Sequence, residues 1–455
     1  MLAIKMFRKY LANKIGFPLQ DLWTKTEIIR MIGFLRESQF WDYARMEEYR
    51  SGRLRMIVNH AYKVVPYYRE AFDRIKLKPE DIRGTEDLHK IPIVSRETFR
   101  SRNSDFISRG QYRNIRTGKT GGTTGTPAVI HKDTSDRTMT WASYYRWYDW
   151  MGLALGEKTT TFWGARSVTE NNFMENIRQV VINYLQNEYV FNSFKMSRDV
   201  LPDVILKLNR LKPVLIKGYL SSLIFLAGYM NEQGIRLSFP LKAVSSTTET
   251  LLPGDRKVLE TTFNAPVYDQ YGCGEASAIA YECAQHKGMH LTSEHVIVEI
   301  LDESGQPSAG SGNVVITNLD NFIMPFIRYV NGDIATMAEG KCSCGVTSPL
   351  LASVEGRACD TIVLKNGSRV HGVFFTDILY EKGIFTDKIK RFQVYQNKRG
   401  EIEFRIESQH KTDVATDTLL SEILERYFNR VEIMRSEKLE NEPNGKFRYI
   451  KSELS

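Results

Sequence analysis

Residues 117-TGKTGGTTGTP-127 interleave glycine with threonine up to a proline. Glycine lets backbone N–H groups approach an anion closely, and threonine hydroxyls add side-chain donors, so the segment suits a polyphosphate. It is not a Walker A loop. That motif needs a glycine five residues ahead of its Gly-Lys-Thr, and Arg113 stands there. A flexible polar hairpin has the same composition. Ile115 before the segment and Val129–Ile130 after it predict a strand–loop–strand arrangement.

Downstream, apolar strands alternate with helical stretches from residue 134 to 350. The strands expected are 159-TTTFWG-164, 214-VLIKGY-219, 242-KAVSST-247, 266-PVYDQYG-272, 296-VIVEIL-301 and 313-NVVITNL-319. Helices are expected over 174–186, 197–210, 220–233 and 255–263. Such alternation predicts an α/β fold: a large N-terminal domain of several subdomains with mixed sheets and helices. Upstream, 20–75 reads as aromatic-rich helices, with Leu54, Ile57, Val58 and Ala61 at core spacing. Ser95 is expected to cap a short helix with Glu97 in its first turn.

Beyond residue 361 the pattern changes to a smaller α+β unit. It has strands at 361–370, 389–396 and 402–408, a helix at 412–429 and a polar tail. The boundary near Gly356–Asp360 divides the chain into 1–356 and 357–455.

The chain has 455 residues with 42% hydrophobic and 25% charged content, ordinary for a globular protein of two or more domains. The net charge of +8 comes without a basic-aromatic stripe, so nucleic acid is not the expected partner. A nucleotide substrate or an anionic membrane surface fits the charge. Five cysteines, four of them within 283–359, exclude a disulfide scaffold and point to a reducing, cytoplasmic setting with a local metal or redox site. The longest apolar stretch, 218–230, is too short to span a membrane and contains serines. The N-terminus carries Lys5, Arg8, Lys9 and Lys14 without an acid before Asp21, and lacks the apolar core of a signal peptide. Leu2, Ile4, Met6, Phe7, Tyr10 and Leu11 line one face of a basic helix, which either docks on the body or makes peripheral membrane contact.

Four further segments carry chemistry. In 269-DQYGCGE-275, Tyr271 offers a flat face for a base and Glu275 a carboxylate for Mg²⁺. In 328-RYVNGD-333, Asp333 follows a glycine turn and can accept both hydroxyls of a ribose. The third is 356-GRACD-360, and the fourth is 443-PNGKFRYI-450, where Lys446 sits on a glycine turn. Singly, these read as a core tyrosine, a turn former, a solvated charge and a surface lysine.

In this order the segments resemble the adenylate-forming superfamily, which includes acyl-CoA synthetases, adenylation domains and luciferases. The chain is most similar to the phenylacetate–CoA ligase family, particularly its relatives found with capsular-polysaccharide genes. Residues 54–72 and 86–100 resemble that family's entry segment, so the similarity spans nearly the whole chain. It implies an ATP-dependent carboxylic acid ligase that forms an acyl-adenylate and passes the acyl group on. CoA is the acceptor implied, with an amine acceptor as the variant, and capsule or surface polysaccharide biosynthesis is the setting. A nucleotide-binding scaffold without turnover is the competing class.

By resemblance, Thr120, Gly121, Gly122, Thr123, Thr124, Gly125 and Thr126 would hold the ATP phosphates. Thr248 and Glu249 would lie beside adenine, and Tyr271 with Gly272 would form the stacking face. Glu275 would help bind magnesium, Asp333 would hold the ribose with Arg328 nearby, and Arg357 would contact the nucleotide as a mobile C-terminal lid closes. The implied catalytic residues are Lys446, Glu275 and Thr120. Trp163, Tyr219 and Ser245 fall on segments lining the acyl site. Two positions depart from the family pattern. Cys359 stands where the hinge Asp is usual, with Asp360 one further on, and Gly274 replaces a hydroxyl residue before Glu275.

The cysteines make a second constellation. Cys283 and His286 are spaced C-x-x-H, with His290 as the alternative imidazole, and Cys342 and Cys344 form C-x-C. Thiolates and imidazole so spaced suit a closed, structural Zn²⁺ site; the bland alternative is free buried thiols. Similar sets in relatives imply zinc.

Overall fold

Five short runs rich in β-branched and aromatic residues pair in parallel, in the order Glu188–Asn192, Thr159–Trp163, Leu215–Tyr219, Ala243–Thr247 and Val267–Tyr268. Parallel neighbours need crossover connections, and helices Phe173–Leu185, Leu201–Leu211, Leu220–Glu232 and Pro253–Phe263 supply them. The structure, a computed structural model, describes residues 2–119, 129–163, 173–193, 196, 198–357, 361–365, 369–371, 375, 391–408, 413–440 and 447–454.

Both faces of this sheet are covered, as the near-continuous apolar runs require. Phe162, Ile216 and Val244 pack with Leu208, Leu223 and Leu259 of the crossover helices. Leu215 and Ala243 pack with Met139, Tyr145 and Trp147 of helix Thr134–Trp150. Gly218 permits the close strand approach: a β-carbon there would sit 2.6 Å from that of Phe162.

A second sheet of seven strands runs in the order Val296–Leu301, Ser311–Asn318, Tyr329–Met337, Leu350–Arg357, Met289–Leu291, Ala280–Glu282 and Gln270–Tyr271. Helices Tyr43–Val64 and Pro66–Arg74 join its core, and Leu54, Ile57, Val58 and Ala61 are all fully buried there, as their spacing predicts. Ser95 caps helix Arg96–Ser101 by accepting the Thr98 amide. The expected strand over 266–272 is two strands. Val267–Tyr268 belongs to the parallel sheet and Gln270–Tyr271 to the seven-stranded one, so the chain passes from sheet to sheet at Asp269.

Helix Leu2–Leu11 continues through Ala12–Gly16 into helix Phe17–Thr24. This N-terminal segment is docked. Ala12 and Phe17 are buried, and a β-carbon on Gly16 would meet the Leu185 carbonyl oxygen at 2.6 Å. Among the described residues no helix is long and apolar enough to cross a membrane.

By internal contacts, Met1–Asn331 with Ala335–Val354 form one unit, and Gly332–Ile334 with Glu355–Ser455 the other. The second unit is α+β. Four of its strands form one sheet, in the order Arg430–Ser436, Glu401–Glu407, Arg391–Lys398 and Ile450–Ser452, and Thr361–Val363 pairs with Arg369–His371. Phe392, Val394, Phe404 and Ile406 pack with Leu420 and Leu424 of helix Val414–Leu424. The helix expected to reach 429 therefore ends at Leu424, and part of the expected polar tail is strand.

Candidate functional site

The glycine-rich segment is flanked by a hairpin stem. Arg116–Lys119 pairs antiparallel with Val129–Lys132, with Arg116 opposite Lys132 and Lys119 opposite Val129. Thr120–Thr126, expected to hold phosphates, lie outside the described residues. The stem is tied to the 269–278 segment by Lys132, whose Nζ donates to Ser277 Oγ at 2.6 Å and stands 3.5 Å from Asp136. Neither Lys132 nor Ser277 has a local sequence signal; the contact joins residues far apart in the chain.

The 269–278 segment begins at the passage between the two sheets. Burial first, then the neighbouring Glu282 carboxylate, pushes the Asp269 carboxyl up to about 7. Tyr271 is mostly buried, and its hydroxyl accepts a hydrogen bond from Asn331 Nδ2 at 2.6 Å, which fixes the ring. Glu275 is buried, and Tyr329 donates its hydroxyl to Glu275 Oε1 at 2.8 Å. Burial and the Glu275 charge both raise the Tyr329 pKa, so the phenol stays a donor. A carboxylate has about four acceptor positions and this bond uses one. Its chemistry therefore fits a divalent cation.

The carboxyl ends of parallel strands are where open α/β sheets bind ligands. Here they carry Trp163 and Tyr219, with ring centroids 4.6 Å apart. One row earlier, Thr161, Lys217 and Ser245 share a register and therefore a face. Lys217 Nζ donates to the Tyr148 hydroxyl at 2.7 Å and lies 3.1 Å from Glu188, which also accepts from Thr161. Burial works against the Lys217 charge, and Glu188, Tyr148 and Tyr145 together more than offset it, so its pKa is raised. Ser245 Oγ is buried and has no hydrogen-bond partner among the described residues. This polar group within an aromatic surround was not visible in the sequence, because strands 188–192, 159–163 and 215–219 meet only through crossovers.

Thr248 follows the fourth parallel strand with φ +72°, a left-handed conformation that is a genuine outlier for a β-branched residue. Such outliers cluster at ligand sites. Glu249 beside it caps helix Leu220–Glu232, accepting the Ser221 amide at 3.1 Å and the Ser221 hydroxyl at 2.9 Å.

Arg328 is already engaged by the protein. It is buried, and its guanidinium grips Glu299 through Nε and Nη2 at 3.0 and 2.9 Å. Its Nη1 donates to the carbonyls of Ile91 and His89. Four of the five guanidinium hydrogens are thus used on protein, so Arg328 ties the 89–91 turn to the sheet. Asp333 lies on strand Tyr329–Met337, in a stretch assigned to the second unit. Arg357 ends strand Leu350–Arg357 with its side chain outside the described residues, and Cys359, Asp360 and Lys446 are outside them too.

Cys283, His290, Cys342 and Cys344 converge, with their ligand atoms all within 4.8 Å of one another. Cys283 and Cys342 sulfurs are 3.7 Å apart, and Cys344 Sγ is 3.2 Å from His290 Nε2. A tetrahedron with zinc–sulfur bonds of normal length has sulfur–sulfur edges of ~3.8 Å, so the donor set fits zinc. Burial pushes the Cys283 thiol up, so a thiolate there calls for a cation. His290 Nδ1 is 3.2 Å from the Ser348 carbonyl, a partner that leaves Nε2 for a metal.

The histidine of this cluster is His290, not His286. Strand Met289–Leu291 pairs with Leu350–Arg357 and so brings His290 to the 342–344 loop. The His286 ring packs on Tyr268, with Nδ1 3.3 Å from Glu282.

No family model matches the chain. A phenylacetate-coenzyme A ligase of Thermus thermophilus is 22% identical over 389 residues, covering 82% of this chain and 84% of that protein. Protein CapK of Staphylococcus aureus is 24% identical over 290 residues, covering 63% and 62%. A crystal structure of 2-hydroxyisobutyryl-CoA ligase in the postadenylation state has the same fold, with a TM-score of 0.75, 19% identity and 92% of both chains covered. Sequence relatives that span most of both chains agree with the ordered motifs and with this fold: the chain is similar to phenylacetate–CoA ligases and shares the fold of an acyl-CoA ligase.

Proposed function

We propose that this protein is an AMP-forming acid–CoA ligase. The carboxylate of the acid attacks the α-phosphorus of ATP and pyrophosphate leaves. The CoA sulfur then attacks the acyl carbonyl, and AMP leaves. The observation that supports the proposal is the passage of the chain at Asp269, from the last parallel strand into the segment that carries Tyr271 and Glu275. A binding crevice is expected at the carboxyl ends of parallel strands.

In this scheme the Thr120–Thr126 loop, on its Lys132-anchored stem, takes the phosphates. Tyr271, fixed by Asn331, presents its ring to the base, and Asp333 holds the ribose. Glu275 would hold Mg²⁺, which supplies charge neutralisation at the phosphates. Trp163, Tyr219 and Ser245 line the acid's end of the crevice. Residues 357–455 act as a lid that delivers Lys446 during adenylation and rotates away afterwards, with Arg357 at the joint. A structural zinc on Cys283, His290, Cys342 and Cys344 ties the 280s hairpin to the 340s loop. Similarity to CapK supports a setting in capsule or surface polysaccharide synthesis.

Pyrophosphate release from ATP across a panel of carboxylic acids tests the proposal, followed by acyl-CoA formation with the best acid. Release with at least one acid is expected. No release with any acid would leave a nucleotide-binding scaffold. Release followed by amide formation on an amino sugar, with CoA ignored, would replace the acceptor.

A further inference from the structure

The N-terminal segment is docked, yet its outer side is apolar. Met6, Phe7 and Tyr10 are 65%, 60% and 59% exposed, and at spacings of one, three and four they fall on one arc of helix Leu2–Leu11. Helix Phe173–Leu185 adds a second exposed stripe, with Val180 at 67% and Tyr184 at 63%. Arg8 joins the two helices. Its guanidinium lies 4.2 Å over the Tyr184 ring and donates to the Tyr184 carbonyl at 3.1 Å. Arg178 stands in the same way 5.6 Å over Trp23, at the end of helix Phe17–Thr24. Exposed large apolar side chains normally occur singly; gathered on adjoining helices they mark an interaction surface.

Charge selects the partner. From residue 2 to residue 26 the bases are Lys5, Arg8, Lys9, Lys14 and Lys25, and the single acid is Asp21. Asp21 is turned inward, accepting from Thr26 Oγ1 and from the Ile28 and Ile29 amides. A second copy of the chain would set this basic segment against itself, since a two-fold interface pairs a patch with the same patch. An anionic bilayer answers both features. Apolar and aromatic side chains enter the headgroup boundary while lysine and arginine stay at the phosphates. We propose that the N-terminal segment, together with helix Phe173–Leu185, rests the protein on an anionic lipid surface without spanning it.

The test is vesicle flotation of the full-length protein. Phosphatidylcholine vesicles containing about a third phosphatidylserine are compared with pure phosphatidylcholine. Binding is expected only to the anionic vesicles, and weaker in high salt. Phe7→Ser/Val180→Ser is expected to weaken it by ~10-fold or more, because burial of each side chain is lost. The same variant should keep wild-type unfolding temperature and pyrophosphate release, since both positions are solvent-facing. Binding unchanged by this variant, equal binding to neutral vesicles, or no flotation at all would overturn the proposal. So would a wild-type dimer in solution that the variant converts to monomer, which would assign the surface to a second copy.

Discussion

His290 Nε2 stands 3.2 Å from Cys344 Sγ, although 54 residues separate them in the chain. If zinc closes this cluster, about one equivalent should accompany the purified protein. Cys342→Ser and His290→Ala should both lower zinc content and unfolding temperature, because metal binding is linked to folding. His286→Ala should change zinc content little, since that ring packs on Tyr268 beside Glu282 and Arg256 and lies outside the cluster. Elemental analysis with thermal unfolding decides it; a fully stable, metal-free wild type would rule out the site.

The Tyr329–Glu275 hydrogen bond predicts a magnesium phenotype. Tyr329→Phe removes the donor that orients the carboxylate. Loss of such a supporting contact typically costs ~10-fold or more in metal affinity. The variant should need correspondingly more Mg²⁺ for half-maximal pyrophosphate release, with saturation restoring most of the rate. A proportional fall in rate at every Mg²⁺ concentration would assign Tyr329 to packing alone.

Lys217 and Glu188 predict a stability cycle. Their side chains are 16% and 15% exposed and pair at 3.1 Å, with Tyr148 and Thr161 completing the set. Lys217→Met leaves Glu188 buried without its cation, which typically costs about 3 kcal/mol or more. Replacing Glu188 by Gln as well should recover much of that loss in denaturant unfolding. Equal, additive losses would show that the two charges do not depend on each other.

The parallel sheet was legible because each inner strand is a short apolar run bounded by turn residues, as in Leu215–Tyr219 and Ala243–Thr247. Two edge strands were not. Glu188–Asn192 and Arg430–Ser436 lie at sheet margins, where half-exposed side chains blur the period. The motif order singled out Tyr271 and Glu275, yet a motif does not report what a side chain already holds. Arg328 sits within its motif and is held by Glu299 and two carbonyls. The C-x-x-H spacing favoured His286 because it is local, whereas strand pairing between residues 289–291 and 350–357 selects His290. Lys132 and Lys217 had no sequence signature, and the resemblance that singled out Thr248 did not report its strained backbone, since register and backbone conformation create these settings.

Lys446 gives the sharpest separation between an adenylating enzyme and a scaffold. It stands in 444-NGKF-447, outside the described residues, and its role comes from family resemblance. In adenylation, two anions are brought together as the acid attacks the α-phosphate, and a cation at the developing charge lowers that barrier. Removing one such preorganised contact typically costs ~10²–10³ in rate. Lys446→Ala should therefore release pyrophosphate that much more slowly from ATP and acid. Thioester formation starts from a finished adenylate, so the same variant should still turn a supplied acyl-adenylate and CoA into acyl-CoA at near wild-type rate. A surface lysine would leave both half-reactions intact. Loss of both, with unfolding unchanged, would mean that Lys446 serves the lid in each orientation rather than in one.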